Sequence, residues 1–158
     1  MHVSIALLYI SLMAAPECTS LPTTEDSIRI SISSIINIAQ ITLVHIDKLK
    51  TTLQVSAQIE VHAPSIEGLT GISRDLGHLE SDLRSPFTDL LDQVVVDVSS
   101  LDGRVRSLAA TMNCTTHARP TATAADGPFP HSRLYLTLVK LQHYLESLVQ
   151  NKDKLKIC

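Results

Sequence analysis

The chain has 158 residues, enough for one domain with a core of moderate size. It contains only two Phe, three Tyr and no Trp, so its core must be aliphatic, and the scarcity of aromatic side chains argues against an enzyme pocket. Thirteen basic and sixteen acidic residues give a formal net charge of -3 without a basic patch, which argues against nucleic-acid binding.

Residues 1–20 have the pattern of a secretory signal peptide. Residues 3–15 form an apolar run that has the length of a signal core and is too short to span a bilayer. Cleavage after Ser20 places two small residues, Cys18 and Ser20, at the positions that a signal peptidase reads. The sequence therefore predicts a secreted domain at residues 21–158, and the alternative is a cytosolic N-terminal helix.

The first predicted helix, α1, covers residues 25–53. Thr23 with Asp26, or Thr24 with Ser27, suits its start. Residues 28–32 alternate at period two, so a strand is the local alternative, but we expect the longer helical period to prevail. The stripe recurs at steps of four and three; it consists of Ile28, Ile32, Ile35, Ala39, Thr42, Ile46, Leu49 and Leu53.

A second helix, α2, is predicted after Ser65, its expected N-cap. Three glycines at positions 68, 71 and 77 weaken it by about 1 kcal/mol each relative to Ala, so packing has to hold it, and residues 66–71 are its least regular part. Pro86 ends it and suits the first turn of the next helix. The stripe of α2 consists of Leu69, Ile72, Leu76, Leu79 and Leu83.

Two more helices complete the prediction, α3 at residues 86–113 and α4 at residues 132–158. Between them, residues 115–131 carry no stripe and are rich in Pro, Ala and Thr, as in a linker. The stripe of α3 consists of Phe87, Leu90 or Leu91, Val94, Val98, Leu101, Val105, Leu108 and Met112. The stripe of α4 consists of Leu134, Leu138, Leu141, Leu145, Leu148 and Leu155, with Lys152 in its gap.

The lengths of the connections predict the topology. A link of two to four residues between α2 and α3 makes these helices antiparallel neighbours. The links before α2 and before α4 are about 11 and 17 residues long, and an 11-residue link reaches about 38 Å, close to the length of a 25-residue helix. Two long crossovers around one short link predict an all-α, up-up-down-down four-helix bundle of the long-chain cytokine type.

Three cysteines are present, Cys18, Cys114 and Cys158. If Cys18 leaves with the signal peptide, the other two remain in an oxidising compartment, where we expect a disulfide; the alternative is two free thiols. Neither has a second ligand at zinc spacing, so no metal site is expected. Asn113-Cys114-Thr115 fits the N-glycosylation pattern, and Asn113 is a candidate site with which the disulfide should compete.

No catalytic set is recognisable. The seven histidines are dispersed, and His143 with Glu146, three residues apart on the solvent side of α4, is expected to be an ordinary surface pair. There is no nucleophile elbow, no glycine-rich phosphate loop and no HExxH motif. The sequence therefore predicts a protein that is not an enzyme, with no cofactor, no metal and no small-molecule substrate.

Several segments together resemble the leptin family, in particular divergent fish-type leptins. Cys114 and Cys158 have the layout of that family's single disulfide, at the end of α3 and at the last residue of the sequence. Four further segments are similar to the family in the same order; these are residues 41–50 in α1, residues 64–69 before α2, Asp97, Val98, Leu101 and Leu108 in α3, and residues 138–146 in α4.

The resemblance implies a secreted hormone that binds a class I cytokine receptor and regulates energy balance and food intake. It implies one receptor face on α1 and α3, at Asn37, Gln40, Ile41, His45, Gln93, Ser100 and Arg104. It implies a second face at the start of α4, at Ser132 and Arg133. The alternatives are another four-helix cytokine or prolactin-type hormone, and an apolipoprotein-like lipid carrier. A disulfide and a proline-broken bundle disfavour the carrier, so neither membrane nor nucleic acid is an expected partner.

Overall fold

The computed structural model describes residues 23–53, 60–84, 88–121 and 130–158. Over these residues the protein is all-α, with no strand. The predicted signal peptide at residues 1–20 lies outside the described residues, as does Pro86. The α-helices are α1 (Thr24–Leu53), α2 (Leu69–Leu83), α3 (Asp92–Thr111) and α4 (Pro130–Gln150), and two 3₁₀ segments cover Thr88–Leu90 and Lys152–Lys156.

α1 begins where the sequence predicts. The Thr23 hydroxyl accepts the Asp26 backbone N–H at 3.3 Å and donates to the Asp26 carboxylate at 2.7 Å. Because this bond and a second one from Arg29 favour the ionised form, the pKa of Asp26 lies below its ordinary value. Residues 28–32 are helical, so the longer period prevails over the local strand preference.

The start of α2 differs from the prediction. Ser65 is not its N-cap, because the helix begins at Leu69 and is preceded by Gly68 in an extended conformation. The first two N–H groups of the helix donate to the carbonyl oxygens of Ile157 and Cys158, at 2.9 and 3.1 Å. The C-terminal backbone thus caps the N-terminal end of α2, and the helix cannot continue back to Ser65.

α3 also starts later than predicted. It begins at Asp92, after the 3₁₀ turn at Thr88–Leu90, so the connection from α2 covers residues 84–91 instead of two to four residues. Of the two leucines that competed for the core position, Leu91 is fully buried, whereas Leu90 is 54% exposed.

α4 does not continue as an α-helix to Cys158, although the sequence predicts that it does. It ends at Gln150, where the stripe has its gap, and the chain tightens into the 3₁₀ segment Lys152–Lys156. The tighter turn brings Leu155 into the core although Lys152 is exposed.

The helices have the predicted up-up-down-down arrangement. α1 packs against α3 and α4, whereas α2 packs mainly against α3 and less extensively against α4. His45 in the second half of α1 meets Asp97 near the start of α3, so these helices are antiparallel. The segment after α4 lies both at the end of α3 and at the start of α2. α1 and α2 therefore start at the end of the bundle where α3 and α4 finish.

The core is aliphatic, as the composition predicts, and each buried Leu, Ile or Val stabilises the fold by about 1.5–3 kcal/mol. Tyr144 is fully buried in this core, and its hydroxyl donates to Asp75 Oδ2 at 3.4 Å. Burial, reinforced by the charge of Asp75, raises the pKa of the Tyr144 phenol above its ordinary value.

Candidate functional site

The predicted disulfide joins Cys114 to Cys158, 44 residues apart in sequence and 5.3 Å apart between Cα atoms. Closing a loop of this length stabilises the fold by about 4 kcal/mol in the chain-entropy model. Next to it, the C-terminal backbone lies so close to Gly68 that a Cβ there would be 2.7 Å from the Cys158 carbonyl carbon. We call this contact between residues 68–70 and residues 157–158 the C-terminal clasp. It fixes one end of the bundle.

Asp97 connects two of the predicted receptor-binding residues. Its Oδ2 lies 2.5 Å from His45 Nδ1, and its Oδ1 accepts a hydrogen bond from Gln93 Nε2 at 2.8 Å. The carboxylate is largely buried between α1 and α3, whereas one third of the His45 side chain is exposed. The structure therefore brings His45 and Gln93 together. The sequence prediction omitted Asp97 from this site, although its spacing of four residues from Gln93 was a usable signal.

Several large apolar side chains are exposed on α1, on α3 and on the 3₁₀ turn before α3. Of the predicted contact residues, Ile41, Ser100 and Arg104 are exposed. α1 is long and apolar enough to cross a membrane by length and composition alone, a test that the core helix of a soluble protein also passes. Exposed apolar surface of this kind is typical of a docking face. The large apolar side chains involved are Ile41 (46% exposed), Val44 (65%), Leu90 (54%) and Val96 (61%).

Asn37 and Gln40 lie on a different side of α1. They line a groove of about 740 Å³ between the N-terminal half of α1 and the segment Lys152–Lys156. Ile32 and Ile36 also line it. His45 instead lines a smaller cleft with Gln93, toward α3. The residues predicted to form one face on α1 and α3 are therefore divided between two surfaces.

The start of α4 holds the second predicted face. Ser132 and Arg133 are both exposed. They lie at the end of the bundle opposite the C-terminal clasp, near the last turn of α1. There, Lys50 Nζ donates to Gln142 Oε1 at 2.6 Å and lies 5.8 Å from the centre of the Tyr135 ring. The start of α3, which holds Gln93, lies at the same end of the bundle as Ser132 and Arg133 but on a different helix.

A buried carboxylate attaches the start of the α3–α4 crossover to the bundle. Asp102 is fully buried, and its Oδ2 accepts hydrogen bonds from Arg106 Nε and Arg119 Nε, both at 2.8 Å. Arg106 Nη1 also donates to the His117 carbonyl oxygen at 2.6 Å. Residues 115–121 therefore lie against α2 and α3, where the sequence predicts a linker. The spacing of Asp102 and Arg106 could have indicated their pairing, but nothing in the sequence indicates Arg119.

Within residues 23–53, 60–84, 88–121 and 130–158, no three His, Cys, Asp or Glu side chains are grouped so that they could hold a metal ion. His143 is exposed, and Glu146 accepts a hydrogen bond from Gln142 Nε2 at 2.9 Å. The pair at positions 143 and 146 thus lies on the solvent side of α4, as predicted.

Comparison with known proteins identifies the relationship. No protein-family model matches the chain, and no solved structure matches it. The curated protein Leptin-B of Oryzias latipes is 46% identical over 158 residues, which cover 100% of both chains. This similarity confirms both the resemblance read from the cysteine layout and helix order and the prediction of a protein that is not an enzyme. The chain belongs to the leptin family of hormones.

Proposed function

We propose that residues 21–158 form a secreted leptin-type hormone that binds a class I cytokine receptor and regulates energy balance and food intake. The observation that carries the proposal is the 46% identity to Leptin-B along the whole length of both chains. The four-helix bundle with one disulfide supports it, because cytokines of the long-chain type have this topology.

Secretion is supported by two independent features. Residues 1–20 have the apolar core and the small cleavage-site residues of a signal peptide. The disulfide between Cys114 and Cys158 suits an oxidising compartment, since intracellular thiols are kept reduced. The expected measurement is N-terminal sequencing of protein from the culture medium, which should begin at Leu21.

Receptor contact is proposed on the surface that Ile41, His45, Gln93, Ser100 and Arg104 share. A largely uncharged, partly apolar patch with polar residues around it matches the core and rim of a protein interface. The junction of His45 and Gln93 with Asp97 stiffens this patch, so less side-chain entropy is lost on binding. Ser132 and Arg133 form the proposed second contact, at the start of α4.

Two neighbouring substitutions of equal charge test the main surface. Ile41→Glu introduces a carboxylate into the proposed patch, whereas Gln40→Glu introduces the same group in the groove on the other side of α1. In reporter cells carrying a leptin receptor from a matched fish species, Ile41→Glu should lower potency about tenfold or more, equivalent to about 1.4 kcal/mol. Gln40→Glu should leave potency within about twofold, and both proteins should melt like the wild type because the positions are exposed.

The reporter assay also decides the assignment itself. If a properly folded wild-type protein gives no signal at micromolar concentration, the proposal that it is a leptin-type hormone is contradicted. That result would favour the alternative that the chain acts on the receptor of another four-helix cytokine or of a prolactin-type hormone. Equal potency losses for Ile41→Glu and Gln40→Glu would place the contact elsewhere on α1. Combined alanine substitution of Ser132 and Arg133 should lower signalling at equal concentrations of folded protein.

The lipid-carrier alternative is tested with phospholipid vesicles. A carrier opens its helices onto lipid and gains helicity, whereas a disulfide-closed bundle is expected to keep its circular dichroism spectrum unchanged. A large gain in helicity on vesicle titration would contradict the hormone proposal and favour the carrier.

A further inference from the structure

Asn113, Cys114 and Thr115 form an N-glycosylation sequon whose central residue is half of the disulfide. The side chains of Asn113 and Thr115 are exposed. We propose that Asn113 is an N-glycosylation site that stays open only until Cys114 pairs with Cys158, so that closure of the disulfide ends its use. The inference rests on passage through the secretory pathway, which belongs to the function proposed above.

In the folded protein the sequon is part of a helix cap. Asn113 has a φ of 58°, in the left-handed region that Asn tolerates better than most residues. Its N–H donates to the Ala110 carbonyl oxygen at 3.1 Å, and the Cys114 N–H donates to the Ala109 carbonyl oxygen at 2.8 Å. These two bonds form the Schellman motif that ends α3. The backbone of the first two sequon residues is therefore fixed.

The rest of the sequon is attached to two other parts of the bundle. The Thr115 carbonyl oxygen accepts a hydrogen bond from the Thr70 hydroxyl at 2.8 Å, and the Thr70 N–H donates to the Cys158 carbonyl oxygen at 3.1 Å. Cys114 is covalently bound to Cys158. A transferase has to draw the sequon out as a separate segment. Once the disulfide has closed, this requires opening the end of α3, the start of α2 and the C-terminal clasp together.

Glycosylation of Asn113 and closure of the disulfide are compatible in one order only. The disulfide cannot close before Cys158 has been synthesised, 44 residues after Cys114, so the sequon exists for an interval without its partner. A glycan attached during this interval is compatible with the fold, because the Asn113 side chain points to solvent and its left-handed conformation remains allowed. A disulfide formed first excludes the glycan, whereas a glycan attached first does not exclude the disulfide.

The two competing reactions are chemically independent. In glycan transfer, Nδ2 of Asn113 attacks C1 of the first sugar of a lipid-linked oligosaccharide diphosphate; the C1–N bond forms, the C1–O bond to the diphosphate breaks, and Nδ2 loses one proton to a base. In disulfide closure, the thiols of Cys114 and Cys158 lose two protons and two electrons to the disulfide of an oxidoreductase, which is reduced to a dithiol. The competition is therefore one of timing and access.

The test expresses the full chain in cultured vertebrate cells and measures glycan occupancy at Asn113 by mass spectrometry, in lysate as well as medium so that poor secretion does not hide the result. Cys158→Ser removes the partner thiol and should raise occupancy several-fold above the wild type. Cys114→Ser, which removes the thiol from the sequon itself, should do the same. A dithiothreitol pulse should raise occupancy in the wild type without any substitution, and Asn113→Gln should abolish the signal.

A second sequon provides the matched control. Thr121→Asn creates Asn-Ala-Thr with the next two residues, eight positions after Asn113 and without a cysteine. This new site should be glycosylated equally with and without Cys158→Ser. If the control site is glycosylated and the occupancy of Asn113 is equal with and without Cys158→Ser, at any level including none, the inference is overturned. An unmodified control site in a chain that stays inside the cell instead overturns secretion, and with it the proposed function.

Discussion

One added methyl group at Gly68 tests the C-terminal clasp. In Gly68→Ala the new Cβ would lie 2.7 Å from the carbonyl carbon of Cys158, 2.8 Å from its oxygen and 3.1 Å from the Ile157 oxygen. These are backbone atoms that cannot rotate away as the tip of a side chain does. The disulfide keeps Cys158 nearby, so the C-terminal backbone has to shift relative to α2.

The cost follows from the bonds that this shift breaks. The N–H groups of Leu69 and Thr70 lose the carbonyl oxygens of Ile157 and Cys158, bonds of 2.9 and 3.1 Å. Two hydrogen bonds of this kind contribute about 1–3 kcal/mol together. Ala restricts the unfolded chain more than Gly does, and Ala can adopt the extended backbone conformation found at residue 68. This entropic effect offsets about 0.4–1 kcal/mol of the loss. We expect a net loss of about 1–2 kcal/mol, or about 4 °C per kcal/mol in melting temperature.

The assay is thermal unfolding followed by circular dichroism, with Gly103→Ala as the control. A Cβ at Gly103 meets nothing within 4 Å, and this residue is exposed within α3, so the control should be stabilised by about 0.5–1 kcal/mol. The same substitution thus has opposite effects at the two positions. If Gly68→Ala melts at or above the wild-type temperature, the clasp does not contribute to stability in the way described.

Three further predictions concern the interior and the disulfide. Cys158→Ser should lower stability by about 2–5 kcal/mol and reduce secreted yield, and unchanged melting and secretion would show that the disulfide contributes little. Asp102→Asn should cost about 2–3 kcal/mol by urea unfolding, because two guanidinium groups lose their carboxylate, whereas Arg119→Ala should cost less than about 1 kcal/mol and mainly speed amide exchange in residues 115–121. Because the folded pKa of Tyr144 is raised, its contribution to stability is complete below the ordinary tyrosine pKa of about 10 and falls by about 1.4 kcal/mol per pH unit above it. Tyr144→Phe should flatten that decline of stability with pH, and an unchanged slope would contradict the raised pKa of Tyr144.

The bundle itself could be predicted because its information is local and periodic. Stripe residues such as Ile35, Leu76, Val98 and Leu141 are all fully buried, since a repeat of four and three residues places them on one face of a helix. The chain direction of each helix followed from the lengths of the links, although the link between α2 and α3 is longer than predicted. The disulfide followed from the small number of cysteines that remain if the predicted signal peptide is removed.

The boundaries that failed depend on residues far away in sequence. α2 starts at Leu69 because carbonyl groups nearly 90 residues later cap it, and no local signal at Ser65 could reveal that. The 3₁₀ segment Lys152–Lys156 similarly serves a distant requirement, since it brings Leu155 into the core and Cys158 to Cys114. Local propensity predicts how a segment can start or end, whereas tertiary contacts decide where it does.

The division of the predicted α1 face has a geometric cause. An α-helix turns by about 100° per residue, so a row of residues spaced by four rotates by about 40° at each step. Asn37, Ile41 and His45 form such a row, which starts beside the groove toward Lys152–Lys156 and ends beside Asp97 of α3. Equal spacing therefore does not keep three residues on one contact surface of a straight helix. A partner seated on α1 and α3 reaches His45 and Ile41 first, and Gln40 lies farther still around the helix, which is why potency should respond to a carboxylate at position 41 and not at position 40.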